Sequence, residues 1–293
     1  MRQIARVIFF WTDHSLQTST IFPPPQLWRG AERRALTPEL NPELLPDGQA
    51  GPVGFKIKAA ECQERRGLIN RLLTRRYAWR GYQEVHLPTD PSVHRFTLSA
   101  LQDDVVIGTI TVGFDGDERL SAEAAFGDEI QSLRQDGFKL CEFTRLAIDP
   151  SVGSKRVLAA LFHVAYIVAH RLRGCDTLLM EVNPRHQRYY ERMLGCQVMA
   201  DQRINNSVNA PAVLMGTAFS LIRQRIARFG GQPALASQER SLYPFAFSAQ
   251  QEQTIMDNMQ ARQRLAARRL TDTGHADGDP FGFKSVDLLA DPG

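Results

Sequence analysis

The chain has 293 residues, 43% of them hydrophobic and 23% charged, and a net charge of +3. This length allows one large domain with extensions or two small domains. The small net charge and the lack of a recognised nucleic-acid motif argue against a nucleic-acid partner, and no window approaches the ~20 apolar residues of a membrane-spanning helix. The four cysteines are far apart without metal-ligand spacing, so we expect reduced thiols, no metal site and a cytoplasmic location.

Three regions are predicted along the chain. Residues 1–53 are interrupted by prolines and glycines, which predicts an irregular N-terminal extension. Residues 54–230 are predicted to form one α/β domain. Residues 231–293 are predicted to form a tail with one amphipathic helix at 248–270, whose second half is rich in arginine. We expect this helix to pack against the core or a partner subunit, and peripheral membrane contact is the alternative interpretation.

Alternating and helical periodicities predict the elements of the domain. The first half is predicted to contain a strand at 55–59, a cationic helix at 61–77, hairpin strands at 96–101 and 105–114, and a helix at 121–137. The second half is predicted to contain a strand at 139–148, a helix from 155 to 173, a strand at 177–182, a helix ending before 195, a strand pair at 197–200 and 208–216, and a helix at 217–229. Asp103 and Asp104 form the predicted hairpin turn, and Gly108 indicates a bulge or the close approach of another backbone.

The turn before the long helix has the character of a phosphate site. Gly153, Ser154 and Lys155 offer backbone N–H groups where a strand passes into a helix, and the side chains of Lys155 and Arg156 add positive charge. Ser154 can equally be the N-cap of the helix, and the two interpretations are compatible. A phosphate site beside a strand carboxylate and a tyrosine hydroxyl suits acyl transfer from a phosphopantetheine thioester.

Four side chains in this region are candidates for the chemistry. Glu142 can act as a general base, directly or through a water, and the alternative is a buried ion pair with Arg145 that holds the sheet. Arg145 can instead bind a substrate carboxylate, because its guanidinium matches a carboxylate in shape and charge. Tyr190 or Tyr189 can protonate a departing thiolate, and the alternative is that both are core residues.

The order of these elements resembles that of the GNAT acyltransferase fold, a mixed central sheet flanked by helices. Within it, Cys141 to Ile148 resembles the Glu-x-(Ser/Thr)-Arg-x-Ala-(Val/Ile) strand of acyl-homoserine lactone synthases. The segment from Glu181 to Gly195, with its two tyrosines, is similar to the equivalent segment of long-chain N-acyl amino acid synthases. The resemblance covers residues 55–219 and leaves the N- and C-terminal extensions outside.

The resemblance implies an N-acyltransferase that moves a long-chain acyl group from acyl carrier protein to the α-amine of an amino acid, without a permanently bound cofactor. An acyl-homoserine lactone synthase and an inactive docking module for a carrier protein or a membrane are the alternative functions. The implied site residues are as follows: Glu142 and Tyr190 for catalysis; Arg145, Arg76 and Tyr82 for the substrate; and Leu146, Ile148, Gly153, Ser154, Lys155, Arg156 and Asn183 for the donor.

Two departures from the family pattern bear on the identity of the acyl donor and on which tyrosine protonates the departing thiolate. Residues 151–156 only partly match the Arg/Gln-x-x-Gly-x-Gly/Ala turn of coenzyme A-using members, which favours a carrier-protein donor over acyl-coenzyme A. The spacing from Tyr190 to Gly195 is one residue longer than usual, so Tyr189 and Tyr190 both stay candidates. Basic residues cluster on the first helix and around the donor turn, which suits an acidic carrier protein.

Overall fold

The computed structural model describes residues 54–60, 62–78, 85–87, 92–151, 154–206 and 208–273. The predicted extension at 1–53, together with the predicted site residues Tyr82 and Gly153, lies outside these ranges. Within the described ranges, no helix combines the length and the apolar character needed to cross a membrane.

The centre of the fold is a seven-stranded sheet. Its strands are β1 (Lys56–Ala59), β2 (Arg95–Gln102), β3 (Val105–Phe114), β4 (Leu140–Ile148), β5 (Thr177–Val182), β6 (Gln197–Asn205) and β7 (Ala210–Ala218). They follow the order β1-β2-β3-β4-β5-β7-β6. β4 and β5 are parallel, and every other neighbouring pair is antiparallel. The sheet is therefore mixed, as predicted.

Helices cover both faces of the sheet. They are α1 (Gln63–Ala78), α2 (Glu123–Gln135), α3 (Lys155–Tyr166), α4 (Gln187–Leu194), α5 (Phe219–Phe229) and α6 (Ala249–Thr273). The chain continues α3 as a π-helix at Ile167–Leu172, and 3-10 turns lie at Pro184–His186, Pro233–Ser237 and Tyr243–Phe245.

Alternation along β4 assigns the helices to the two faces. Cys141 and Phe143 belong to the large core cluster that contains α3, α5 and the buried part of α6. Leu140 belongs to the cluster of α2, and Ala147 to the cluster of α1. Successive strand residues point to opposite faces, and the register shift between Thr109 and Thr111 moves the alternation of β4 by one residue before Ala147. It follows that α1 and α2 cover one face of the sheet, and that α3, α5 and α6 cover the other.

Two predictions about the β2–β3 hairpin are confirmed. Asp103 and Asp104 have φ values of 47° and 61°, the left-handed pair that a two-residue hairpin turn of type I′ requires. A Cβ at Gly108 would lie 2.8 Å from the side-chain atom Ile148 Cδ1, so the close approach at this glycine is by a side chain and not by another backbone. The register also shifts between Ala100 and Leu101, next to the partner of Gly108.

Two segments extend beyond their predictions. β6 reaches Asn205, whereas the predicted strand ends at residue 200. Residues 201–203 are polar and exposed on an edge strand, so they lack the apolar alternation from which a strand is predicted. The core also continues past the predicted domain end at residue 230. Ile255, Met256 and Met259 of α6 are buried in the large cluster, which favours the packing interpretation of this helix over membrane contact.

Candidate active site

The sheet opens between β4 and β5. The two strands pair only at Leu140 with Thr177, Cys141 with Leu178, and Glu142 with Leu179. β4 then continues to Ile148 and β5 to Val182 without pairing to each other, although β5 stays paired to β7 throughout. The backbone groups that line such a gap can pair with an extended ligand. The gap is therefore the natural place for a substrate arm.

A β-bulge reshapes β4 beside this gap. Thr109 pairs with Ala147 and Thr111 pairs with Thr144, so Ile110 lies opposite two residues of β4. One of these two is Arg145, whose φ of 49° is uncommon for a residue other than glycine. Bulges turn side chains away from the regular alternation. The bulge thus sets the direction of Arg145 at the edge of the gap.

Arg145 makes no ion pair with Glu142 within the described part of the chain, so the predicted Glu142–Arg145 pair does not form. Its Nε donates a 3.1 Å hydrogen bond to the backbone oxygen of His86. Burial and the nearby charge of Arg95 lower the pKa of Arg145, although the charge of Glu142 opposes this. A half-buried guanidinium in this position can accept an anionic ligand.

Glu142 is held by the backbone that leads into α2. It is 1% exposed. Its Oε1 accepts a 2.8 Å hydrogen bond from Ser121 N, and its Oε2 accepts a 3.1 Å hydrogen bond from Ala122 N. Arg95 Nη1 lies 3.6 Å from Oε1. The partner of this carboxylate is therefore an arginine of β2, supported by two backbone N–H groups. Oε2 keeps one further acceptor position.

Glu181 is a second carboxylate near the gap, and it carries no role predicted from the sequence. It follows Leu179 by two residues on β5, so it points to the same face as Glu142. Its Oε1 accepts a 2.7 Å hydrogen bond from Asn205 Nδ2. Burial raises the pKa of Glu181, and the charge of Glu142 raises it further. The sequence offered one signal for Glu181, a carboxylate within the otherwise apolar strand Thr177–Val182.

The turn at the start of α3 carries the predicted phosphate residues that the structure describes. Ser154 is the N-cap, because its Oγ accepts a 3.3 Å hydrogen bond from Val157 N. Lys155 and Arg156 form the first turn and are half-buried. Arg75, at the end of α1, lies 3.3 Å from Asp149 in the same turn. Burial opposes ionisation of Asp149, but hydrogen bonds from Ser151 and the charges of α1 lower its pKa.

The remaining predicted residues surround this arrangement. Arg76 lies next to Arg75 and is one of the charges that act on Asp149, so it is near the donor turn. The backbone oxygen of Leu146 accepts a 3.2 Å hydrogen bond from the Tyr77 hydroxyl, and Ile148 is buried beneath Gly108. Asn183 follows β5 directly, and its side chain accepts a hydrogen bond from Arg185 N.

The two tyrosines of α4 differ in burial. Tyr189 is 9% exposed and belongs to the large core cluster, whereas Tyr190 is only partly buried against it. Their rings meet edge to face with centroids 5.3 Å apart. The greater accessibility of Tyr190 makes it the better candidate for contact with a substrate.

Comparison with known proteins gives a family and a fold. The family model of the N-acyl amino acid synthase FeeM matches residues 69–218. The structure of FeeM, an N-acyl amino acid synthase from uncultured soil microbes, superposes with a TM-score of 0.51 at 22% identity, covering 58% of this chain and 93% of that chain. The sequence finds no match among proteins with curated descriptions.

Two further solved structures are more distant. An acyl-CoA N-acyltransferase from Pseudomonas aeruginosa gives a TM-score of 0.39 at 16% identity, covering 56% of this chain and 98% of that chain. The AHL synthase LasI gives a TM-score of 0.40 at 12% identity, covering 56% of this chain and 89% of that chain. The mixed sheet and the FeeM structure confirm the predicted GNAT fold. Since the family model spans just over half of the sequence, the chain belongs to the FeeM family of N-acyl amino acid synthases and is an N-acyltransferase.

Proposed function

We propose that the protein transfers a long-chain acyl group from acyl carrier protein to the α-amine of an amino acid. The observation that carries this proposal is the separation of β4 from β5 after Glu142, which opens a slot beside a carboxylate. A phosphopantetheine arm is long, narrow and carries amide groups. It can lie along a strand edge as an added strand does.

The donor is oriented along this slot. Its amides pair with the main chain of Leu146 and Ile148, and Asn183 lies across the gap at the end of β5. The phosphate is held at the start of α3 by backbone N–H groups, with Lys155 and Arg156 supplying charge. Gly153 belongs to this proposed contact by its position in the sequence. Acyl-coenzyme A, which carries the same pantetheine arm, is the alternative donor.

The amino acid binds on the α1–α2 face of the sheet. Arg145 pairs with its carboxylate, since a guanidinium and a carboxylate match in geometry. Arg76 and Tyr82 complete the predicted substrate contacts. Glu142 accepts a hydrogen bond from the ammonium group through an oxygen that still has an acceptor position.

The reaction then needs two proton transfers, one from the ammonium nitrogen of the amino acid and one to the departing sulfur of the thioester. One proton of the ammonium passes to Glu181, whose raised pKa suits a base. The free amine attacks the thioester carbon, a C–N bond forms and the C–S bond breaks. Tyr190 donates a proton to the departing sulfur, and the proton that leaves the new amide nitrogen restores the tyrosine. The net products are the amide, one thiol and one proton.

The carrier protein docks against the basic end of α1. Arg75 and Arg76 lie beside the donor turn with Lys155 and Arg156. Carrier proteins are acidic, so opposite charges speed their encounter and orient the pantetheine arm.

The test is product analysis with the purified full-length protein. We would supply hexadecanoyl-carrier protein or hexadecanoyl-coenzyme A with the common amino acids and identify products by mass spectrometry. Tyr190→Phe and Tyr189→Phe form a matched pair, because each removes one hydroxyl from neighbouring rings. We expect N-acyl amino acids from the wild-type protein, a strong loss with Tyr190→Phe and with Glu142→Gln, and little change with Tyr189→Phe.

Other products would overturn the proposal in defined ways. Acyl-homoserine lactone formed from an S-adenosylmethionine supplement would establish the lactone synthase alternative. Transfer from acyl-coenzyme A but not from carrier protein would reject the proposed donor. No transfer by a folded wild-type protein would leave a docking module as the function.

A further inference from the structure

A small apolar cavity lies on the α3 face of the sheet, next to the point where β4 and β5 stop pairing. Its volume is about 20 Å³, room for little more than one water-sized group. Phe143 of β4 and Leu178 of β5 form its sheet side. Phe143 follows Glu142, the last residue of β4 that pairs with β5. The cavity therefore begins where the two strands separate.

The opposite wall comes from a part of the chain outside the family match at residues 69–218. We call residues 241–252 the C-terminal strap. Leu242, Tyr243 and Ala246 of this strap line the cavity and are 2%, 4% and 7% exposed. The side chains that close the cavity at this end thus belong to a segment that the family model does not cover.

The strap is fixed to the helices on either side. Leu242 N donates a 3.1 Å hydrogen bond to Met193 O, and the Tyr243 hydroxyl donates a 2.6 Å hydrogen bond to Leu194 O. Gly230 and Gly231, directly after α5, allow the strap to approach closely, since a Cβ at Gly230 would lie 2.6 Å from Phe247 O. These contacts hold the wall in one position against α4 and α5.

A buried polar cluster fixes the far end of the strap to α3. His163 Nε2 and Glu252 Oε2 are 3.1 Å apart, and Arg171 Nη1 lies 2.9 Å from Glu252 Oε1. Phe247 N donates a 3.0 Å hydrogen bond to His163 Nδ1. Because Nδ1 accepts, the ring carries its proton on Nε2 and donates it to Glu252. The wall is therefore anchored by bonds at both ends.

We propose that the C-terminal strap is the end wall of the acyl-chain pocket and sets the longest acyl chain that the enzyme accepts. This inference rests on the proposed function. The thioester lies at the gap near Glu142, the methylenes pass between β4 and β5, and the terminal carbon enters the cavity. Ala246 is the small residue of the wall, so it marks the position where added volume shortens the pocket.

The test compares a substitution that fills the cavity with a matched one that does not. Ala246→Phe adds a ring at the wall, and Ala249→Phe adds the same ring at an exposed position three residues later. Leu242→Ala works in the opposite direction by removing volume from the wall. Each full-length protein would receive carrier-protein donors from octanoyl to octadecanoyl, with the acceptor found for the wild-type protein.

Ala246→Phe should move the preferred donor to shorter chains, and Leu242→Ala should move it to longer ones. Each methylene that no longer fits should reduce kcat/KM by about fourfold, the equivalent of ~0.8 kcal/mol per buried methylene. Ala249→Phe should keep the wild-type profile. If Ala246→Phe does not fold, Ala246→Val provides the same comparison with a smaller group.

A binding measurement separates this proposal from the proposed function. Titration calorimetry with free fatty acids of the same lengths measures the pocket without acyl transfer. Absence of transfer by the wild-type protein would reject the proposed function, and the length limit for fatty acids would still test the wall. An identical length limit in wild-type, Ala246→Phe and Leu242→Ala proteins would overturn the strap proposal.

Discussion

Gly113 and Glu142 are paired across β3 and β4, and they are so close that only glycine fits. A Cβ at position 113 would lie 2.8 Å from Glu142 Cγ and 2.9 Å from its Oε1. The glutamate cannot move aside without losing its hydrogen bonds from Ser121 N and Ala122 N. The position of the carboxylate is therefore set jointly by β3 and by the backbone that leads into α2.

We predict that Gly113→Ala destabilises the protein by about 1–3 kcal/mol, the usual range for inserting a methyl group into a packed site. Acyl transfer should fall as well, because the carboxylate is displaced. Gly67→Ala in α1 is the control, since nothing lies within 4 Å of the added Cβ and alanine favours helix. Urea unfolding measures both variants, and equal stability of the two would contradict the prediction.

We predict that Glu181→Gln lowers kcat/KM by about 10²–10⁴-fold, the usual contribution of a general base. In the wild-type protein, activity should fall as the pH falls through the raised pKa of Glu181, above its ordinary value of 4.5. The residual activity of the variant should not show this fall at low pH. Glutamine keeps an oxygen that accepts from Asn205, so its structural role is preserved.

The stability of the same variant gives an independent readout. A raised pKa means that the folded state binds the proton more tightly than the unfolded state, so ionised Glu181 costs stability at neutral pH. Glu181→Gln should therefore be at least as stable as wild type there. Glu129→Gln, which loses an ion pair to Arg203, should be less stable and keep the wild-type pH profile. A destabilised Glu181→Gln protein with an unchanged profile would indicate a structural role only.

We predict that acid weakens the anchoring of the C-terminal strap. Burial lowers the pKa of His163 below its ordinary value of 6.5, and Arg171 lowers it further, although Glu252 opposes both. The unfolded chain therefore binds this proton more readily than the folded one. Stability contributed by neutral His163 is present above about pH 6.5 and is lost as the pH falls toward the lower folded value.

The loss amounts to about 1.4 kcal/mol for each unit by which the pKa of His163 is lowered. His163→Asn keeps an acceptor for Phe247 N but does not titrate. Between about pH 7 and about pH 5, the range in which this linkage acts, the melting temperature should fall more steeply for wild type than for this variant. Parallel curves for the two proteins would refute the assignment.

We predict that Arg75→Gln raises KM for acyl-carrier protein by about tenfold, as expected when an interface charge that steers encounter is removed. KM for an acyl-pantetheine lacking the protein should change much less. Arg240→Gln, at an exposed position after α5, is the control. Equal effects on both donors would place Arg75 in contact with the pantetheine arm instead of the carrier protein.

Features that depend on local chemistry could be predicted from the sequence. Consecutive aspartates between alternating segments indicate the hairpin turn, and Ser154 before an apolar periodicity indicates the helix N-cap. The extent of β6 could not be predicted, because an exposed polar edge strand has no apolar alternation. Its end at Asn205 nevertheless matters, since this residue binds Glu181.

Local sequence signals do not predict which residues pair with each other within the site. Glu142 is paired with Arg95, which is far away in sequence, and the expected Arg145 turns instead toward His86 at a bulge. A left-handed conformation at an arginine has no signature of its own. Residue types in the strand predict candidate groups for the site, but the choice among possible partners depends on how strands from different parts of the chain align.

The anchoring of the strap also constrains the order in which the protein can fold. His163 and Glu252 are separated by 89 residues, so a nascent chain completes the sheet before the segment that covers α3 has been made. At the usual ~5–20 residues per second of synthesis, the apolar side of α3 and α5 stays uncovered for on the order of seconds. During translation, that interval leaves buried apolar residues of α3 and α5 exposed to solvent until the strap has been made.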